Sequence, residues 1–245
     1  MQSILACLRV KNEARWIAQV LQSIQPLCQR ILVFDDRSTD DTVEIALNRG
    51  AEVIRSPFDG LNEARDKAYL LDEYLIPADP DWVLAIDGDE ILTPDSIPFV
   101  QRAAARPQVS HCSFRVLYLW DREDQIRTDG VYRDFRRSSM FRVRGQRGLH
   151  FPASTSHGGN FHCKSVPQGL RGIGSPLEAK LLHYGYLHRE DRLRKYAWYR
   201  AHDPHALSED GYRHVVQGDL PEIPAGMRLL HGGPLKLQTL RSSDF

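Results

Sequence analysis

Residues 87–90 read Asp87-Gly88-Asp89-Glu90 and follow the apolar run Trp82-Val83-Leu84-Ala85-Ile86. Three carboxylates within four residues repel one another and raise each other's pKa. A solvated acidic turn tolerates this arrangement, and a nearby cation relieves it. A hard divalent ion suits the donor set. Mg²⁺ and Mn²⁺ take oxygen ligands, and beside substrate phosphates they need only one or two protein carboxylates. The chemistry on offer is metal-assisted handling of a phosphate-bearing molecule.

The elements around this turn predict where it sits. Short apolar runs at residues 3–10, 30–34, 51–54 and 82–86 read as strands. They alternate with helical spacing at 13–24, at 38–49 (opened by Ser38 or Thr39 and closed by Gly50) and at 61–75. Repeated β-α units with short buried strands predict an α/β protein whose central sheet is mostly parallel and flanked by helices. In such sheets ligands bind beyond the carboxyl ends of the strands. Asn12, Asp36 and Asp87 all fall at such ends. After Glu90 the pattern changes: a helix to about Ala105, strands at 111–120 and 131–143, loop at 145–174, a strand at 179–186 and a charged helix at 190–202. The strand pair predicts a smaller antiparallel extension.

Composition frames these readings. The chain has 245 residues, 42% hydrophobic and 26% charged, with no net charge. That is ordinary for a globular domain with a sizeable core. Residues 1–100 hold 18 Asp/Glu against 9 Lys/Arg, whereas 101–245 hold 14 against 23 and all 10 histidines. The asymmetry suggests an acidic metal-holding half and a basic half facing something anionic; mutual attraction of the halves is the simpler account. Cys7, Cys28, Cys112 and Cys163 are scattered, which fits free thiols better than disulfides or a zinc site. No run approaches membrane-spanning length, and the N-terminus lacks a signal-peptide pattern.

Three segments together resemble family 2 glycosyltransferases, inverting enzymes with the GT-A (Rossmann-like) fold. They are Val10-Lys11-Asn12-Glu13, the string Phe34-Asp35-Asp36-Arg37-Ser38-Thr39-Asp40-Asp41-Thr42, and Asp87-Gly88-Asp89-Glu90. Glu63-Ala64-Arg65-Asp66-Lys67 extends the likeness, which covers about residues 3–100. The D-G-D-E form looks like the branch that decorates lipopolysaccharide and other cell-surface glycans. The resemblance implies transfer of a sugar from a nucleotide-sugar, with a UDP-sugar expected, to a hydroxyl of a glycan or other acceptor, an anionic one included. It divides the chain into a nucleotide-sugar-binding half (1–106), an acceptor-side half (107–205) and a C-terminal extension (206–245). A cytoplasmic location is expected, with peripheral placement at the inner membrane face compatible. No nucleic-acid partner is expected.

By the same resemblance Asp89 binds Mn²⁺ or Mg²⁺, and Asp87 faces the ribose or a metal-bound water. An ionised carboxylate accepts hydrogen bonds only, so Asp36 suits a uracil N–H or a ribose hydroxyl. Asp35 does the same or orients the loop. Asn12 and Glu13 are nucleotide contacts or helix caps. Arg65 contacts base or diphosphate, or pairs with Glu63 or Asp66. His183 is expected as a metal ligand or diphosphate contact, against an ordinary core histidine. Asp40 and Asp41 read as helix N-terminal charges, and Lys195 as part of a solvated helix face. The Arg133, Arg136, Arg137, Arg142, Arg144 and Arg147 cluster meets phosphates, or simply alternates along exposed strands.

One feature departs from the family. Related sequences carry a His-Glu pair after a Met-Phe-Arg-like strand, and here neither His150 nor His157 is followed by Glu. Both are candidate bases for the acceptor hydroxyl, with Glu178 and Asp121 still open. Two other readings compete. A nucleotidyltransferase usually needs a Gly-rich phosphate loop after the first strand, which is missing here. The other is a non-catalytic nucleotide- or sugar-binding module.

Overall fold

The computed structural model describes residues 2–60, 62–152, 164–203, 212–219 and 235–241. In chain order the main elements are β1 (Ile4–Val10), α1 (Ile17–Ile24), β2 (Arg30–Asp35), α2 (Thr42–Asn48) and β3 (Glu52–Arg55). Next come α3 (Glu63–Leu70), β4 (Trp82–Asp87), β5 (Glu90–Leu92), α4 (Ile97–Ala104) and β6 (Val109–Trp120). The rest are β7 (Arg122–Arg127), β8 (Arg136–Arg142), β9 (Ile173–His183), α5 (Arg189–His202) and β10 (Leu237–Thr239). Two compact units result: Met1–Arg115 with Arg136–Leu181, and Val116–Phe135 with Leu182–Phe245.

In the first unit β3, β2, β1 and β4 pair in that order, all parallel, and β8 and β6 extend the sheet antiparallel. This is the α/β arrangement that the alternating pattern predicts. β1 is covered on both faces, which is why it reads as a continuous apolar run. Ile4, Ala6, Leu8 and Val10 join one core cluster with Ile17, Val20, Leu21 and Ile24 of α1. Those four helix positions follow the i, i+3, i+4, i+7 spacing of a buried stripe. Leu5 and Cys7 face a second cluster with Leu70, Leu71, Leu75 and Phe141. Truncating a side chain such as Leu8 to Ala would cost about 2–5 kcal/mol.

The structure departs from the expected element bounds in several places. The first helix begins at Ile17, because residues 13–16 form a turn on the Glu13 carbonyl. The second starts at Thr42, whose N–H donates to Asp40 Oδ1 (3.1 Å), so neither Ser38 nor Thr39 caps it. The third ends as an α-helix at Leu70 and runs on as a π turn over Leu71–Leu75. Residues 131–143 are a 3₁₀ turn, Gly130–Arg133, followed by β8. β9 starts at Ile173, inside the expected loop.

In the second unit β7 pairs antiparallel with the end of β6 and with β10. The buried Arg127 and Arg192 stand over the Trp120 ring, 4.8 and 4.3 Å from its centroid. Among the described residues no helix is long and apolar enough to cross a membrane.

Candidate active site

The parallel register brings the carboxyl ends of three strands to one sheet edge: Val10 lies beside Asp35, and Arg9 beside Asp87. The turns beyond these ends interlock. Asn12 adopts a left-handed conformation (φ +56°) that Asn tolerates better than most residues. Its N–H donates to Ser38 Oγ (2.9 Å), and its Oδ1 accepts the Thr39 N–H (2.8 Å). Glu13 N–H donates to Thr42 Oγ1 (2.8 Å), and Ala14 N–H to Asp40 Oδ2 (3.2 Å). The Asp35 carboxylate, buried, accepts the Ser38 N–H at 3.1 Å. Most of the D-D-x-S-x-D-x-T string therefore builds the loop, and Asp35 takes the loop-orienting role.

Asp36 differs from its neighbours in the string. Its N–H donates to the Val10 carbonyl (2.8 Å), which fixes the backbone, while its carboxylate lies 3.6 Å from Lys11 Nζ. On α3 the fully buried Asp66 receives Arg65 at 2.8 Å and Arg9 at 3.5 Å. Burial raises the Asp66 pKa; Arg65 and Arg9 oppose this, and the nearby charge of Asp36 adds to it. Arg65 also donates to the carbonyls of Asp59 and Gly60 and stacks 4.3 Å over Phe58. Arg65 therefore pairs with Asp66 in the structure.

The acidic turn packs against the first turn. A Cβ on Gly88 would lie 2.9 Å from both Val10 Cγ1 and Glu13 Cγ, so only glycine fits without a shift. Asp87 keeps 59% of its side-chain surface in solvent, and Asp89 and Glu90 are buried. Arg137 on β8 donates to Asp87 Oδ2 (2.8 Å) and to Glu90 Oε2, which also accepts the Asp87 N–H (3.1 Å). Against desolvation and the Asp89 charge, the Arg137 guanidinium holds the Asp87 pKa below its ordinary value. Desolvation pushes Glu90 up to about 7, opposed by Arg137 and reinforced by Asp87 and Asp89. Glu90 Oε1 is buried without a hydrogen-bond partner.

Beside Asp87 a cleft of about 560 Å³, open solvent included, is floored by Val83, Ala85, Leu70 and Phe141 and rimmed by Arg9, Glu63 and Lys67. Arg9 pairs with Glu63 at 3.1 Å, and Lys67 with the same carboxylate at 3.2 Å. No role was assigned to Arg9 or Gly88, and Arg137 was expected to meet phosphates or stand exposed rather than to pair with Glu90. A cation ending the apolar run of β1 was the available signal for Arg9, and the charge imbalance of residues 87–90 the signal for Arg137.

The remaining candidates belong to other elements. His183 closes β9 in the second unit, its ring 4.8 Å from that of Tyr118 and 4.7 Å from that of Tyr186. His150 is exposed, with Nδ1 3.0 Å from the Gly148 carbonyl. A carbonyl only accepts, so Nδ1 is the donor in that contact. His157 lies outside the described residues. Lys195 sits on α5 with its ammonium 5.6 Å from the Tyr186 ring. Among the described residues no three His, Cys, Asp or Glu side chains could hold a metal ion by themselves. The donor set at the turn is carboxylate oxygen, which fits a hard divalent ion whose other ligands come from water and phosphate.

Comparison with known proteins gives the family. Residues 6–165 match the model of the family described as Glycosyl transferase family 2. An uncharacterized glycosyltransferase of Rickettsia felis is 34% identical over 129 residues, which is 51% of this chain and 43% of that protein. An uncharacterized protein of Mycobacterium tuberculosis is 26% identical over 260 residues, 92% of this chain and 62% of its own. Among solved structures, glucosyl-3-phosphoglycerate synthase from Mycobacterium tuberculosis, in complex with Mn²⁺, UDP and glucosyl-3-phosphoglycerate, is 28% identical. It covers 48% of this chain and 44% of that one, with a TM-score of 0.38. The chain spans less than half the length of the Rickettsia felis relative. With the family model covering well over half of its residues, the chain belongs to glycosyl transferase family 2.

Proposed function

We propose that this chain transfers a sugar, with inversion, from a nucleotide-sugar (a UDP-sugar first) to an acceptor hydroxyl, with a divalent metal ion. One observation carries the reading. Register and hydrogen bonds gather Asn12, Glu13, Asp36, Asp87 and Asp89 at a single sheet edge. The Asp36 carboxylate meets the Lys11 ammonium rather than a backbone N–H and suits a uracil N–H or a ribose hydroxyl. Asp87, ionised and reaching solvent, suits ribose or a metal-bound water. Asp89 and Asp87 would hold Mn²⁺ or Mg²⁺ together with the donor diphosphate. When bound, the ion supplies Lewis-acid stabilisation of the leaving nucleoside diphosphate. Arg9 and Lys67 on the cleft rim add positive potential beside Asp87.

Apart from His183, donor contacts fall within residues 1–106, and acceptor contacts within 107–205. His150, with Nε2 as its accepting nitrogen, and His157 are the bases assigned to the acceptor hydroxyl. His183 is assigned to the metal or diphosphate. The basic composition of residues 101–245 favours an anionic acceptor. Buried free thiols at Cys7, Cys28 and Cys112 support a cytoplasmic location, and the D-G-D-E likeness supports cell-surface glycan synthesis at the inner membrane face.

A panel of nucleotide-sugars with Mn²⁺ tests the proposal. Release of nucleoside diphosphate supports it. Pyrophosphate chemistry would favour a nucleotidyltransferase, and nucleotide binding without turnover a binding module.

A further inference from the structure

The acidic turn is short of positive charge in sequence, and the fold supplies it from 50 residues further along the chain. Arg137 spans two carboxylates with its two terminal nitrogens, Nη1 on Asp87 and Nη2 on Glu90. Its Nε donates to Ser139 Oγ (3.1 Å), and Ser139 is fully buried, so the guanidinium plane is held on a third side. Glu90, fully buried, accepts the Asp87 N–H through the same oxygen that meets Arg137. Asp87 is therefore gripped twice, at its backbone by Glu90 and at its carboxylate by Arg137, and the two gripping groups hold each other.

This ion pair joins a buried carboxylate to a partly exposed arginine. A pair serving only stability would satisfy its polar atoms, because each buried orphan costs about 1–3 kcal/mol. Here Glu90 Oε1 has no partner. A planar fork is also required: Lys is a point charge and cannot hold two carboxylates and a hydroxyl in one plane. What the arrangement gains is a defined direction for the one carboxylate of the turn that reaches solvent.

We propose that Arg137 and Glu90 are positioning residues that fix the Asp87 carboxylate at the sheet edge for the nucleotide-sugar donor. The assignment rests on the transferase reading given above. Arg137 does its work through Asp87, so its effect must vanish once Asp87 can no longer be directed.

Binding of UDP in the presence of Mn²⁺, measured by calorimetry on the full chain, tests it together with the melting temperature. Arg137→Ala should weaken UDP binding by about 10- to 100-fold, the range seen when groups that orient a metal-site ligand are removed. Arg137→Lys should recover part of that loss. In the Asp87→Asn background, adding Arg137→Ala should weaken binding no further. Unchanged binding in Arg137→Ala, or losses that multiply in the double variant, would overturn the assignment. If Arg137→Ala does not fold, Arg137→Lys and Arg137→Gln, each alone and with Asp87→Asn, give the same reading. A wild-type chain that binds no nucleoside diphosphate with Mn²⁺ overturns the transferase reading and this assignment together, an outcome distinct from a failure of coupling.

Discussion

Arginines meet buried carboxylates in both units, and the two settings differ in completeness. In the second unit Arg127 is bidentate on Asp129 (2.9 and 2.8 Å) and also donates to the His214 carbonyl and to Gln217. Arg192 is bidentate on Asp219 (2.6 and 2.8 Å), reaches Asp121 (2.8 Å) and donates to the carbonyls of Tyr186 and Leu187. Both guanidiniums also stack on aromatic rings. In the first unit Arg137 serves two carboxylates of a turn that holds three, one of them exposed and one with an orphaned oxygen. A saturated arginine network is framework. An unsaturated one beside a strand end is poised to take something more.

Variants can break or sharpen this contrast. The largest effect is expected at Asp89. Asp89→Ala should lower nucleoside diphosphate release by roughly 10³-fold or more, with circular dichroism unchanged. Retained turnover would place the chemistry elsewhere. Next is Arg192→Ala, which strands Asp219 and Asp121. Removing one partner of a buried pair costs about 3–5 kcal/mol, so urea unfolding should show a loss of that order. A loss below 1 kcal/mol would show that the saturated network is not framework.

Gly88→Ala comes next. The added methyl meets Val10 and Glu13 at 2.9 Å, an overpacking that costs about 1–3 kcal/mol. It should also weaken nucleotide binding, because the acidic turn must move off the first turn. A variant with wild-type melting and wild-type binding would show that the two turns need not touch. The smallest effect concerns the thiols. Burial pushes Cys7, Cys28 and Cys112 up to about 12. All three therefore stay protonated near pH 8 and should resist iodoacetamide in the native chain, reacting only after denaturation, as peptide mapping would show.

The parallel core was legible because β1, β2 and β4 are apolar runs stopped by polar residues, and because α1 repeats its apolar positions at helical spacing. The same residues revealed Asn12, Asp36 and Asp87 at strand ends. Other parts carried no such signal. β7, Arg-Glu-Asp-Gln-Ile-Arg, has no alternation, and its Arg127 is buried only because Asp129, Gln217 and a carbonyl accept its protons. β5 is three residues long. The early start of β9 was hidden by Gly174 and Pro176, residues that local propensity assigns to loops. Arg137 looked like one exposed position among several on a basic strand, since the pairing that sets it beside Asp87 joins residues 50 apart. Long-range partners of a charge are what a single sequence withholds.

The central claim is that Asp89 and a divalent ion together hold the diphosphate of the donor. Calorimetric titration of UDP into the wild-type chain and into Asp89→Ala, each with Mn²⁺ and with EDTA, tests it most directly. The account predicts binding only for the wild type with Mn²⁺. UDP binding that persists in EDTA and in Asp89→Ala would contradict it.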